Sequence, residues 1–241
     1  MPTKRSPDPK TLRGYRTLCG RPRPEADRVA AILELLDEHY GAVTTALTFE
    51  SPFQLLIATI LSAQCTDEVV NKVTGVLFER FPDAASLSDA SLDVVEQIVR
   101  PTGFFRNKAR NIVAAAKMVD EELGGELPRD LEGLVRIPGV ARKTANVVLG
   151  TAFGLSEGVV VDTHVMRITR RWHFHDLKDP ARIERCLQAT IPEEKWIDFS
   201  HRTIWHGRRL CVARRPRCEV CPILPHCPEG RLLLSKTPKR S

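Results

Sequence analysis

Lys143, Asp162 and the run Cys211, Cys218, Cys221, Cys227 are the residues whose types and spacing could do chemistry. Lys143 falls in the first turn of a helix expected to open at Arg142. The helix dipole disfavours a positive charge there, which suits a lysine that must act as a neutral amine nucleophile. An apolar run, Val159-Val160-Val161, ends at Asp162, and the spacing predicts a new helix there with Asp162 as its N-cap. An amine and a carboxylate at neighbouring helix starts could face one cavity. A solvated surface lysine and a carboxylate that only caps are the plainer readings of the same residues.

The cysteines are spaced C-x6-C-x2-C-x5-C. Nothing like a secretory signal opens the chain, so paired disulfides are not expected here. A metal centre is. Structural zinc usually takes two Cys-x-x-Cys knuckles with a longer spacer. One knuckle with two unequal arms suits four thiolates around a 4Fe–4S cube, and zinc stays open as the second choice. Cys19, Cys65 and Cys186 stand alone and read as small apolar fillers.

Helices must position these groups. The stretch from Leu131 to Leu149 reads as helix, tight reversal, helix, with Pro138-Gly139 ending the first helix and Gly139 free to take a positive φ. The unpaired N–H groups of the second helix make an anion site that a DNA phosphate would suit, although an ordinary αα-hairpin has the same signature. Upstream, apolar spacing predicts a helix from Glu25 to Tyr40. Ser51-Pro52-Phe53-Gln54 reads as a capping box opening a helix buried all round, Phe53 to Ser62. Thr66 caps the next helix, and others follow near 89–99, 108–123, 180–190 and 193–210. Phe104 and Phe105 sit in a loop and would ordinarily anchor a core. Period-two alternation is nearly absent, so the class is all-α.

The 241 residues can hold one large or two small domains, and 42% hydrophobic content is ample for a core. No apolar run is long enough to span a bilayer. The net charge of +6 resembles a nucleic-acid signature, but the first 24 residues account for all of it. That segment, rich in Pro and Arg, reads as a flexible basic tail, and residues 229–241 as a second one. In the body, Arg202, Arg208, Arg209, Arg214, Arg215 and Arg217 crowd one segment, and Arg167, Arg170 and Arg171 follow Asp162. They predict a basic face that contacts phosphates.

Leu61-Ser-Ala-Gln-Cys-Thr-Asp67, Ile137-Pro-Gly-Val-Ala-Arg-Lys-Thr-Ala-Asn-Val-Val148, Val161-Asp-Thr-His-Val165 and the four-cysteine pattern together resemble the endonuclease III family. Its members are bifunctional DNA glycosylases of the helix-hairpin-helix superfamily. The resemblance runs from about Glu25 to Cys227. It implies a six-helix barrel domain, residues 45–155, that carries the hairpin. It also implies an iron–sulfur domain, residues 25–44 plus 156–228, with DNA in the cleft between the two.

By motif, Lys143 matches the family's Schiff-base lysine and Asp162 its catalytic aspartate. Gln64 matches the residue that fills the gap left by a flipped base, and Phe104 takes the place of a second, usually aliphatic, wedge. Gly139, Ala141 and Arg142 of the hairpin, with Arg214 and Arg215, are the expected DNA contacts. Ala141 departs from the usual glycine, and Phe104 is bulkier than leucine. The implied activity is excision of oxidised pyrimidines followed by β-elimination 3′ to the abasic site. The partner is duplex DNA holding damaged pyrimidines or abasic sites. A cytoplasmic monomer with a 4Fe–4S cluster is expected, and organelle or nuclear targeting by the basic N-terminal tail stays open. A mismatch-adenine glycosylase relative would lack this lysine and carry a further domain. A non-catalytic DNA-binding module with a structural metal is the rival of another class.

Overall fold

The computed structural model describes residues 11–236 and, among them, contains helices, turns and loops but no strand. The outer parts of both basic tails, 1–10 and 237–241, lie outside the described residues. The first helix is α1, Leu12–Cys19, followed by α2, Ala26–Tyr40. Then come α3 (Pro52–Leu61), α4 (Asp67–Arg80), α5 (Ala84–Ser88), α6 (Leu92–Val99) and α7 (Phe105–Lys117). The hairpin is α8 (Leu131–Arg136) and α9 (Arg142–Val148). Last are α10 (Thr163–Arg171), α11 (Pro180–Gln188), α12 (Trp196–Arg209) and α13 (Pro228–Lys236). None of these is long and apolar enough to cross a membrane. The chain divides into two compact units, Thr45–Glu157 and the two flanking stretches taken together.

In the unit Thr45–Glu157, α3 is the hub. Leu55, Leu56, Ile57, Ala58 and Leu61 have no exposed surface, and α4, α7 and α9 pack around them. Ser51 opens α3 by accepting from the Gln54 N–H, with Pro52 at the first helical position, where its missing N–H costs nothing. The box is not reciprocal: Gln54 accepts from the Glu50 N–H instead, at 2.9 Å. Thr66 caps α4 through the Val69 N–H, as its position predicts. The expected helix over 89–99 is α6, which starts at Leu92, and a short helix not read from the sequence, α5, precedes it from the Asp83 cap. α7 begins three residues before the expected Lys108 and runs on into a π-turn, Met118–Glu122.

In the flanking unit, α10 carries Val165, Ile168 and Thr169 into a core shared with Ile32, Leu36, Phe174, Ile183 and Phe199. Two departures from the sequence reading lie here. Residues expected to be tail form α1, capped by Thr11, with Tyr15 wholly buried and its hydroxyl within 2.6 Å of Thr190 Oγ1. Cys19 and Cys186, expected as separate fillers, are joined in a disulfide that ties α1 to α11. At the other end, the expected C-terminal tail is helical as α13 as far as Lys236.

Candidate active site

The hairpin is built to bring the start of α9 to the surface. Asp130 caps α8, taking the Gly133 N–H at 2.7 Å. The chain reverses through the Ile137 N–H to Leu134 and the Val140 N–H to Ile137, both at 3.1 Å. Gly139 has φ +79°, and a Cβ there would lie 2.9 Å from the Asn111 Cβ on α7. Both conformation and space therefore demand glycine. Val140 is buried, and Ala141 then opens α9 in extended geometry with no side-chain cap. Lys143 is exposed in that first turn, its stem on a helix whose other face buries Ala145 and Val148.

Asp162 opens α10 differently. Its Oδ1 accepts from the His164 N–H and the Val165 N–H, both at 2.8 Å, and Oδ2 takes neither bond. The carboxylate is half-buried and anchored by one oxygen. Beside it His164 is held below the usual imidazole range, chiefly by burial, against the opposing pull of Asp162. Gly207 on α12 leaves the room for that ring: a Cβ there would stand 2.6 Å from His164 Nδ1.

The remaining site residues fall into groups. Gln64 and Phe104 are both exposed and both hold a left-handed backbone, φ +55° and +47°. Non-glycine residues take this conformation at a cost of about 1–2 kcal/mol, and such strain collects at functional sites. Phe104, a core anchor by residue type and a wedge by the family resemblance, is 69% exposed; Phe105 is the one that packs on the core. Lys143 lies in the unit Thr45–Glu157, as do Gln64, Phe104 and the hairpin, whereas Asp162 and the run Cys211, Cys218, Cys221, Cys227 lie in the other.

Arg208, Arg209, Arg214, Arg215 and Arg217 are exposed, as a phosphate-contacting face requires. Three of the arginines expected with them are not. Arg167 turns inward to the carbonyls of Gly207 and Cys211, and Arg171 to Val212 and Ala213. Arg202 pairs with Asp37 and Asp198. Arg167 and Arg171 thereby brace the loop that carries the cysteines.

Cys211, Cys218, Cys221 and Cys227 line one small cavity with Arg171, Trp172 and His206. Arg171 Nη1 lies 3.2 Å from Cys211 Sγ, and the Gly230 N–H donates to Cys227 Sγ at 3.3 Å. Burial pushes the Cys221 thiol up to about 11 and raises Cys218 and Cys227 as well, with the other cysteines adding to it. Thiolates gathered here need a cationic centre. Among the described residues no three His, Cys, Asp or Glu side chains converge on a single ion position. A cubane differs in taking one thiolate per iron, so a four-cysteine cavity fits it.

Residue type alone did not reveal Lys108, on α7 between the Gln64 turn and the Phe104 loop. It is 5% exposed, and its ammonium donates to the carbonyls of Leu61 at 2.8 Å and Thr102 at 2.7 Å. The signal was a charge on the buried stripe Lys108, Ala109, Ile112, Ala115, Ala116.

Comparison with known proteins places this helical, hairpin-bearing fold in a class. Residues 57–193 match the family described as HhH-GPD superfamily base excision DNA repair protein. Endonuclease III of Synechocystis sp. is 50% identical over 204 residues, spanning 85% of this chain and 93% of that one. A solved non-covalent endonuclease III–DNA complex has a TM-score of 0.82 at 40% identity, covering 88% of this chain and 100% of that one. A trapped endonuclease III–DNA covalent intermediate matches equally, with a TM-score of 0.82, 40% identity and coverage of 88% and 99%. The chain belongs to the endonuclease III family within the HhH-GPD superfamily.

Proposed function

We propose that this protein is a DNA glycosylase and abasic-site lyase of base excision repair that acts on duplex DNA holding damaged pyrimidines or abasic sites. The observation that carries the reading is Lys143, an exposed amine in the uncapped opening turn of the hairpin's second helix. The covalent DNA intermediate trapped with a solved family member supports a nucleophile on the protein.

In this reading the damaged nucleotide leaves the stack, which costs least where damage has already weakened pairing. The Lys143 amine attacks C1′ as the glycosidic bond breaks, and the base leaves with that electron pair. Asp162 stabilises the positive charge that develops on the sugar, using the oxygen not engaged in capping. Loss of the amine proton and opening of the sugar ring give an imine. The imine draws electrons from C2′, a base removes the 2′ proton, and the 3′ carbon–oxygen bond breaks. Gln64 and Phe104 fill the space the nucleotide left. The hairpin residues Gly139, Ala141 and Arg142, together with Arg214 and Arg215, hold phosphates. Cys211, Cys218, Cys221 and Cys227 would hold a 4Fe–4S cluster that fixes the arginine-bearing loop and takes no part in the steps above.

Borohydride reduction during reaction with an abasic duplex should yield a stable protein–DNA adduct, and Lys143→Gln should remove it while retaining DNA binding. An undiminished adduct in that variant would mean another amine is the nucleophile. The wild-type protein, purified without air, should hold about four irons per chain; stoichiometric zinc without iron would refute the cluster. Failure of the native protein to form any adduct would leave the non-catalytic DNA-binding module as the better description.

A further inference from the structure

The two segments assigned to refill the stack are separate in sequence, and each contains a residue in a strained left-handed backbone, Gln64 and Phe104. Strain of this kind persists only where the surroundings over-determine it. The surroundings converge on one side chain. Lys108 Nζ binds Leu61 O, three residues before Gln64, and Thr102 O, two residues before Phe104, at 2.8 and 2.7 Å. The Lys108 backbone N–H reaches Phe104 O itself, at 3.2 Å. The side chain and the backbone of one residue thus hold the segment 102–104, the backbone bond being the first-turn bond of α7.

We infer that Lys108 is a positioning residue for strand penetration, a buried ammonium that locks the Gln64 turn and the Phe104 loop in register with each other. The inference rests on the reading of Gln64 and Phe104 as the residues that refill the stack.

Packing alone does not call for a lysine here. The position lies on the apolar stripe of α7, where leucine or methionine would fill the same space. Burial depresses the ammonium, and the Cys65 thiol opposes that shift. What the ammonium adds is direction. It offers up to three N–H donors from one point, and two of them go to carbonyls that end otherwise unconnected segments. The same helix carries Asn111, against which Gly139 of the hairpin rests. One rigid element therefore sets the Gln64 turn, the Phe104 loop and the hairpin.

The test compares two substrates with the full chain. One is a duplex with an abasic site opposite 2-aminopurine; the other is the same abasic strand alone, which has no opposing stack to refill. The measured quantities are the ratio of duplex to single-strand cleavage rates and the 2-aminopurine fluorescence on binding. Lys108→Met should lower the ratio on the order of tenfold, since a misplacement of about 1 Å can cost 10²-fold. It should also reduce the fluorescence change, with the single-strand rate near the wild-type value. If Lys108→Met melts below the assay temperature, Lys108→Gln, which keeps an amide donor, is measured against the same criteria.

A folded Lys108 variant with an unchanged ratio, or with both rates lowered equally, overturns the inference. The paired variant Gln64→Ala with Phe104→Ala separates the two levels. If that pair lowers the ratio and the Lys108 variant does not, only the Lys108 inference fails. If the pair leaves the ratio at the wild-type value, the stack-filling reading fails and takes the Lys108 inference with it.

Discussion

Two helix starts in this chain are finished in opposite ways. α10 begins at an aspartate whose Oδ1 closes two backbone N–H groups, each at 2.8 Å. α9 begins at Ala141, which has the extended geometry of an N-cap, φ −88° and ψ 164°, and no side chain that can fill the role. A cap adds about 0.5–2 kcal/mol of helix stability, so leaving one out has a cost. α8, α4 and α11, with Asp130, Thr66 and Asp179, show that capping is common elsewhere in the chain. The open end is the one that carries Lys143. A start already satisfied by its own carboxylate repels a phosphate, whereas an open start with its dipole exposed attracts one. Under the proposed function, the difference would separate a helix end that anchors a charged side chain from one left open to a phosphate.

The largest effect expected from disturbing this contrast is at Asp162. Asparagine caps as well as aspartate does, so Asp162→Asn should keep melting within a degree or two of wild type. Excision should nevertheless fall by roughly 10²-fold or more, as when one preorganised electrostatic stabiliser is removed. Asp162→Ala removes the cap as well and should lower stability by about 0.5–2 kcal/mol. Equal activity in wild type and Asp162→Asn would reduce Asp162 to an anchoring residue and end its catalytic assignment.

Closing the open start is the second intervention. Ala141→Asp supplies the missing cap and should stabilise the protein by about 1 kcal/mol. It also sets a negative charge where a phosphate is proposed to sit, so affinity for any duplex should drop on the order of tenfold, independent of lesion, because backbone contacts carry no sequence information. Thermal melting and a binding titration at fixed salt read the two effects separately. Tighter binding to DNA would show that the open start faces elsewhere.

The contrast between the two starts was only half legible in the sequence. Asp162 announced itself as a cap because a polar residue follows an apolar run and precedes a helical pattern. The hairpin was legible through Pro138-Gly139, whose conformational demands are local. What stayed hidden depended on distant partners. Lys108 is an ordinary lysine until Leu61 and Thr102 are seen to accept from it. Arg167, Arg171 and Arg202 counted as a basic face because a sequence shows charge and not direction. Cys19 and Cys186 stand 167 positions apart, and only folding brings their Cα atoms to 5.4 Å. α1 was masked by the Pro- and Arg-rich composition around it, although Thr11 and Gly20 are ordinary cap residues. Features fixed by local backbone geometry were readable; those fixed by tertiary contacts were not.

The smallest effect belongs to a third helix start, that of α7, which opens at Phe104 with no side-chain cap and with φ +47°. Here the open end carries an exposed ring. If Phe104 were a core residue, its removal would cost roughly 3–5 kcal/mol. At 69% exposure it has little burial to lose. Its backbone strain, about 1–2 kcal/mol for a residue with a Cβ, is relieved by glycine. Phe104→Gly should therefore melt slightly higher than wild type, by an amount of about 0.5–1 kcal/mol once the greater chain entropy of unfolded glycine is set against the relief. Excision from duplex DNA should slow in the same variant, because the side chain that refills the stack is gone. Stability and activity would then move in opposite directions at one position, as they do where strain is retained for function. A clear fall in melting temperature would instead assign Phe104 to packing and move the stack-filling role to another residue of the loop.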